Sequence, residues 1–256
     1  MKKIIITICA IFIAGFAHAD TETINWYVDG DIYDTTTCTI GGDINLPTAP
    51  YKYGYTFQGW VGYTPIEYIE STGTQWIDTG IYANGGTIIE AKIAPGGNNG
   101  SYTCQVGSIG YSSVNPDYTR NMIGCSANLL SFQKGRTFSG ETYLITDNTP
   151  LVLYMDTRGN NFAGKVNDVS LNVNPGSVMQ ILSSQSNTIK LGYSDYSQTV
   201  KPQKNYYLKL WDSNNTLVRD LIPVLDSNGV ACMYDKVSHQ FFYNAGTGDF
   251  IAGPAI

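Results

Sequence analysis

Few residues in this 256-residue chain have both the type and the spacing that chemistry requires. Nucleophilic catalysis needs a base beside the nucleophile. Outside the first nineteen residues there is one histidine, His239, in the run KVSHQFFY. It sits between two short apolar runs and reads as an exposed turn residue. Glycoside hydrolysis needs two carboxyl groups at a set separation. Glu67 and Glu70 are three apart and face opposite sides of a strand. Glu90 and Glu141 are isolated, and Asp78, in WIDTG, is the best single carboxylate. No acid–base pair emerges, so the chain is expected to be non-enzymatic, and no catalytic residue is assigned. Calcium sites want clustered oxygen ligands. Asp29, Asp31 and Asp34 in DGDIYD, Asp226 with Asn228, and Asp195 are the candidates. The first set lacks the glycine and terminal glutamate of an EF-hand loop, and turn aspartates explain it equally well. Calcium is left open, and no other cofactor is expected. The run Gly96 to Gly100 is not followed by Lys-Ser or Lys-Thr, so it is not a phosphate-cradling loop.

Carbohydrate recognition needs aromatic faces beside amide and carboxylate groups. The candidate ligand-binding set is Trp76, Tyr82, Asn84, Tyr111, Tyr118, Tyr193 and Tyr196, with Asn205 and Trp211 offering similar chemistry. The competing reading is structural. A sandwich with nineteen tyrosines half-buries many of them regardless, and Trp76 and Trp211 alternate with large apolar residues that suit a core.

These residues need elements to position them, and the composition points to strands. The chain has 27 glycines, 14% charged residues and 12% aromatics. That balance argues against helical bundles and against disorder. Helical periodicity is almost absent after residue 19. Short alternating runs are separated by Gly, Asn, Asp, Ser and Pro clusters, the spacing of an all-β sandwich or barrel. Expected strands include Ile66 to Ile69, Thr87 to Ile93, Leu151 to Met155, Tyr206 to Trp211, Leu217 to Val224 and Gln240 to Tyr243. The runs beginning at Asp156, Asp212 and Asp226 read as hairpin turns.

Lys2 and Lys3, the apolar run Ile4 to Phe16 and Ala17-His18-Ala19 form a secretory signal over residues 1–19. The apolar run is too short to span a bilayer, which takes roughly 20 residues. The exported chain is therefore expected in the periplasm, at the cell surface or in the medium, without membrane insertion. Removing the signal leaves 13 basic against 21 acidic residues, a charge of −8, which disfavours nucleic acid as a partner. Four cysteines remain, and an oxidising compartment permits disulfides. Cys104 and Cys125 are the preferred pair, with four buried thiols as the alternative. No CxxC occurs, which disfavours zinc.

Two stretches resemble known families. Residues Thr23 to Trp60, with Leu46 to Pro50 (LPTAP) and Gly54 to Trp60 (GYTFQGW), resemble the Listeria–Bacteroides or internalin B-type repeat. That resemblance implies a small β-grasp-like module over 20–63. Residues Ile66 to Pro254 resemble a concanavalin A-like, laminin-G-type jelly roll, through IEYIESTGTQWIDTGI at the start and LKLWDSNNTLVRDLIPVLDSNGVACMYD near the end, which implies a jelly-roll domain over 64–256. The implied architecture is an all-β jelly-roll sandwich preceded by the small module. The superfold serves many activities, so it names none. The expectation is an exported interaction protein that adheres to a glycan or a cell-surface protein. The alternatives are a structural part of a surface or phage-derived assembly and, more remotely, a glycoside hydrolase.

Overall fold

The computed structural model describes residues 2–9, 21–28, 31–39, 43–83, 86–96, 103–110, 119–126, 128–134, 137–138, 142–158, 162–171, 187–194 and 199–256. Every regular element among them is a strand, so the chain is all-β, with its sheets layered as a sandwich. No helix among the described residues is long and apolar enough to cross a membrane.

The larger sheet runs in the order Val169–Leu171, Ala163–Val166, Leu151–Asp156, Ile88–Pro95, Gln203–Trp211, Leu217–Asp226, Tyr55–Pro65, Lys2–Cys9, Thr21–Val28, Asp31–Thr39. Ala231–Asp235 and Gln240–Phe242 extend from Leu217–Asp226, while Ile69–Ser71 and Ile251–Ala252 extend from Gln203–Trp211. The smaller sheet runs Thr137–Phe138, Leu129–Lys134, Thr119–Ser126, Thr103–Gly110, Thr188–Leu191, Ile77–Tyr82.

Alternation builds the core. Leu151, Leu153 and Met155 point inward, while Val152 and Tyr154 on the same strand stay half-exposed. Together with Ile89, Ala91, Ile93, Leu208 and Leu210 they meet Val106, Ile123, Phe132 and Leu191 of the smaller sheet in one cluster. The expected turns close as their residues dictate. Asp212 Oδ1 accepts from the N–H groups of Asn214 and Thr216 at 2.9 and 2.8 Å. Asp226 Oδ1 does the same for Asn228 and Val230 at 2.9 and 2.8 Å. Leu151–Asp156 and Ala163–Val166 pair antiparallel, as expected on either side of the Asp156 turn.

In the N-terminal region Thr21–Val28 and Asp31–Thr39 form a hairpin around fully buried Trp26, whose Nε1 donates to Thr36 Oγ1 at 2.8 Å. The apolar Lys2–Cys9 stretch is a strand here, parallel to Tyr55–Pro65 and antiparallel to Thr21–Val28. Tyr55–Pro65 is one continuous strand, which pairs with Leu217–Asp226 at its C-terminal end.

The disulfide expectation needs correction. Thr103–Gly110 and Thr119–Ser126 are neighbouring strands, but Cys104 opposes Gly124 and Cys125 opposes Thr103. An offset of one residue sends the side chains to opposite faces. Cys125 enters the main core and Cys104 joins Ile109 and Met122 in a separate cluster. Both are thiols, as are Cys38 and Cys232.

Candidate functional site

Two of the sequence-selected aromatics meet. Trp76 immediately precedes the edge strand Ile77–Tyr82 of the smaller sheet, and Tyr193 follows the neighbouring strand Thr188–Leu191. Their rings stack with centroids 4.6 Å apart and planes inclined by 21°. Both residues are half-exposed. Lys190 Nζ lies 5.7 Å from the Trp76 ring and 5.8 Å from the Tyr193 ring, within cation–π range of both. Asp78 opposes Lys190 across the two strands.

Each ring is held through its backbone. The Trp76 N–H donates to Asn244 Oδ1 at 3.0 Å, and its carbonyl accepts from the Ala245 N–H at 2.9 Å. Asn244 Oδ1 also accepts from the Gly246 N–H at 2.8 Å, and Asn244 Nδ2 donates to the Gly248 carbonyl at 2.6 Å. A Cβ on Gly246 would lie 2.0 Å from the Thr74 carbonyl oxygen and 2.9 Å from Trp76 Cδ1, so the backbone approaches the indole as only glycine allows. Buried Gln75 anchors the other side: its carbonyl accepts from Ser71 Oγ at 2.8 Å and its Oε1 from the Thr72 N–H at 2.9 Å. Tyr193 is aimed by Gly192, whose φ of 87° lies in the left-handed region and whose N–H donates to the Gln105 carbonyl at 2.9 Å.

The remaining candidates fall elsewhere. Tyr82 is exposed at the far end of the Ile77–Tyr82 strand. Asn84, Tyr111, Tyr118, Tyr196 and Asp195 lie outside the described residues. Asn205 is buried in the core and accepts from Gln203 Nε2, so its amide serves the fold and not a surface. Trp211 is half-exposed on the larger sheet, paired opposite Ile88 and Leu217 and apart from Trp76. Lys190, Asn244 and Gly246 were missed by sequence reasoning. The run Lys190-Leu191-Gly192-Tyr193 carried a signal, a cation and an aromatic ring flanking a turn glycine.

The polar candidates for chemistry have structural partners. His239 occupies a turn with φ of 57°, and its Nδ1 lies 3.2 Å from the Tyr234 hydroxyl. Asp78 Oδ1 accepts from the Gly80 N–H at 2.9 Å, closing a turn. Glu70 lies 3.9 Å from Lys204. Asp34 caps the Thr35 N–H, Asp29 lies outside the described residues, and Asp226 is taken up by two N–H groups and the Tyr243 hydroxyl. Among the described residues no group of three His, Cys, Asp or Glu side chains could hold a metal ion.

No family model and no curated protein matches the chain. Solved structures do match. One is a protein from Bacteroides ovatus ATCC 8483 with a provisional carbohydrate-binding name, at 9% identity and a TM-score of 0.48, covering 92% of this chain and 68% of that one. At that TM-score the likeness assigns nothing to this chain.

Proposed function

We propose that the chain is an exported, non-enzymatic binding protein that holds a saccharide against the Trp76–Tyr193 stack. The stack itself carries this reading. Two rings from distant parts of the sequence meet at a half-exposed edge of the smaller sheet, and buried amides and close-packed glycine fix their orientation. Aromatic faces suit the C–H faces of sugar rings. Half-exposed Asp78 places a carboxylate beside them for hydroxyl recognition, opposite buried Lys190, while the Asn244 amide is taken up in holding the Trp76 backbone. A rigid aromatic platform also binds at low entropic cost. The signal-like residues 1–19 support export, and the resemblances to an internalin B-type repeat and a laminin-G-type jelly roll support a surface interaction role.

The test is a glycan array probed with the secreted chain, with and without calcium, beside its Trp76→Ala variant. Wild-type binding that the variant loses, with no sugar released, is the expected result. Release of sugar would replace this reading with a hydrolase. Self-association on sizing chromatography with no glycan bound would replace it with an assembly component.

A further inference from the structure

One row of the smaller sheet is polar where the rest of that face is core. Val106, Ile123 and Phe132 oppose one another across three strands and belong to the main apolar cluster. Two residues further along, on the same face, stand Ser108, Asn121 and Lys134, again directly opposed. All three are almost wholly buried, at 1%, 0% and 1% exposure. Asn121 Nδ2 donates to Thr157 Oγ1, at the end of the facing sheet, at 3.1 Å. Thr157 Oγ1 in turn donates to the Thr87 carbonyl at 3.0 Å. Asn121 Oδ1 and Ser108 Oγ are buried with no hydrogen-bond partner among the described residues. Burial lowers the Lys134 ammonium from its usual range, and the Asp156 carboxylate opposes that shift. Asp156 itself is engaged by Arg158 at 2.7 Å.

These side chains have the chemistry of an amide exchange. Directly opposed residues of an antiparallel pair hold their Cβ atoms about 4.5–5.5 Å apart, so the long lysine stem brings Nζ within reach of the Asn121 carboxamide. Desolvation favours the neutral amine, the form that attacks a carbonyl. Ser108, on the other flank of Asn121, has a hydroxyl free to donate to Oδ1 as negative charge builds there. Thr157 holds Nδ2, the leaving nitrogen. We propose that Lys134 and Asn121 join in an intramolecular isopeptide bond. The Lys134 Nζ lone pair forms a bond to Asn121 Cγ, the Cγ–Nδ2 bond breaks, and one Nζ proton passes to Nδ2, which leaves as ammonia. One amide replaces another, so the step needs no oxidant and no energy source. The product removes a buried ammonium, which is costly to keep out of water, and leaves an N–H for Thr157 and a carbonyl for Ser108. The bond ties Thr119–Ser126 to Leu129–Lys134 at the end of the row. It uses none of the residues of the Trp76–Tyr193 site, so the two proposals stand or fall separately.

Tryptic mapping of the purified full chain, denatured before digestion, tests it. Trypsin cuts after Arg120, Lys134 and Arg136, but a joined Lys134 resists it. The map should therefore contain Asn121–Arg136 uncut and lighter by one ammonia, with no backbone fragments from between the joined residues. Lys134→Arg should give residues 121–134 at full mass. Asn121→Asp should lose water in place of ammonia. Ser108→Ala, shown to be folded by its thermal melt, should join about 100-fold more slowly, as expected for loss of one oxyanion donor. The wild-type map needs no variant, so a variant that fails to fold does not mask the answer. Residues 121–134 released at full mass from the folded wild-type chain would overturn the proposal. So would ammonia loss at Asn121 with Lys134 still cut, the mark of a succinimide.

Discussion

At the residue scale, Asp226 shows how a turn depends on ionisation. Burial pushes its carboxyl up, but the N–H of Val230, the Tyr243 hydroxyl and the N–H of Asn228 outweigh burial and hold it below the usual carboxylate range. A depressed carboxyl stabilises the fold fully above its unfolded value of about 3.9, and that contribution is lost as pH falls through the lower folded value. Asp226→Ala should therefore lower the melting temperature at neutral pH and flatten the acid limb of stability against pH. The loss expected from stranding its donors is about 1–3 kcal/mol, measured by urea titration at pH 7 and pH 3. The thiols give a second prediction. Burial raises Cys125 to about 11 and Cys232 to about 12, so little thiolate exists at pH 8. Half-exposed Cys38 should react with iodoacetamide in the native chain, while Cys125 and Cys232 react only after denaturation. Peptide mass mapping reads this directly, and a blocked Cys125 in the native protein would contradict the buried environment described.

At the element scale, the two sheets approach closely where Gly164 faces Phe132. A Cβ on Gly164 would lie 2.7 Å from the Phe132 ring. Gly164→Ala should cost about 1–3 kcal/mol through overpacking, and Phe132→Leu in the same chain should recover part of it, which a double-mutant cycle of urea midpoints measures. The opposing strand also marks the limit of what was legible beforehand. Leu151–Asp156 was readable because one face is buried and the other wet, so its residues alternate. Leu129–Lys134 was not expected as a strand. Leu130 through Lys134 are all buried, including Ser131, Gln133 and Lys134, and a strand covered on both faces shows no alternation. The turns were legible because Asp, Asn and Gly carry their own geometry. The cysteine pairing was not, because the strand neighbourhood is visible in sequence but a one-residue offset in register is not. Trp76 and Tyr193 could be chosen by type. The partners that aim them, Asn244, Gly246 and Gln105, arrive from distant parts of the chain and leave no local mark.

At the scale of the whole molecule, the ends of the sandwich close on each other, and the same closure holds the proposed site. The Glu67 N–H donates to the Pro254 carbonyl at 2.8 Å, the Gly253 N–H to the Tyr68 carbonyl at 2.8 Å, and the Ile256 N–H to the Pro65 carbonyl at 3.2 Å. Phe250, 5% exposed, fills the core from this last segment. The segment also supplies Asn244 and Gly246 to Trp76. Burying Phe250 contributes about 1.5–3 kcal/mol, and each satisfied backbone bond adds about 0.5–1.5 kcal/mol. Their sum approaches the roughly 5–15 kcal/mol that stabilises a typical domain. A chain ending at Tyr243 should therefore fail to give a cooperative thermal transition. Two point variants separate closure from site. Phe250→Ala should lose about 3–5 kcal/mol while leaving ligand affinity intact at temperatures where it stays folded. Asn244→Ala should lose less stability but weaken saccharide binding together with Trp76→Ala, non-additively, because both act on one ring. Calorimetric melts paired with titration of the array-identified glycan read both effects. Additive binding losses from Asn244→Ala and Trp76→Ala would show that the C-terminal segment closes the sandwich without orienting the platform.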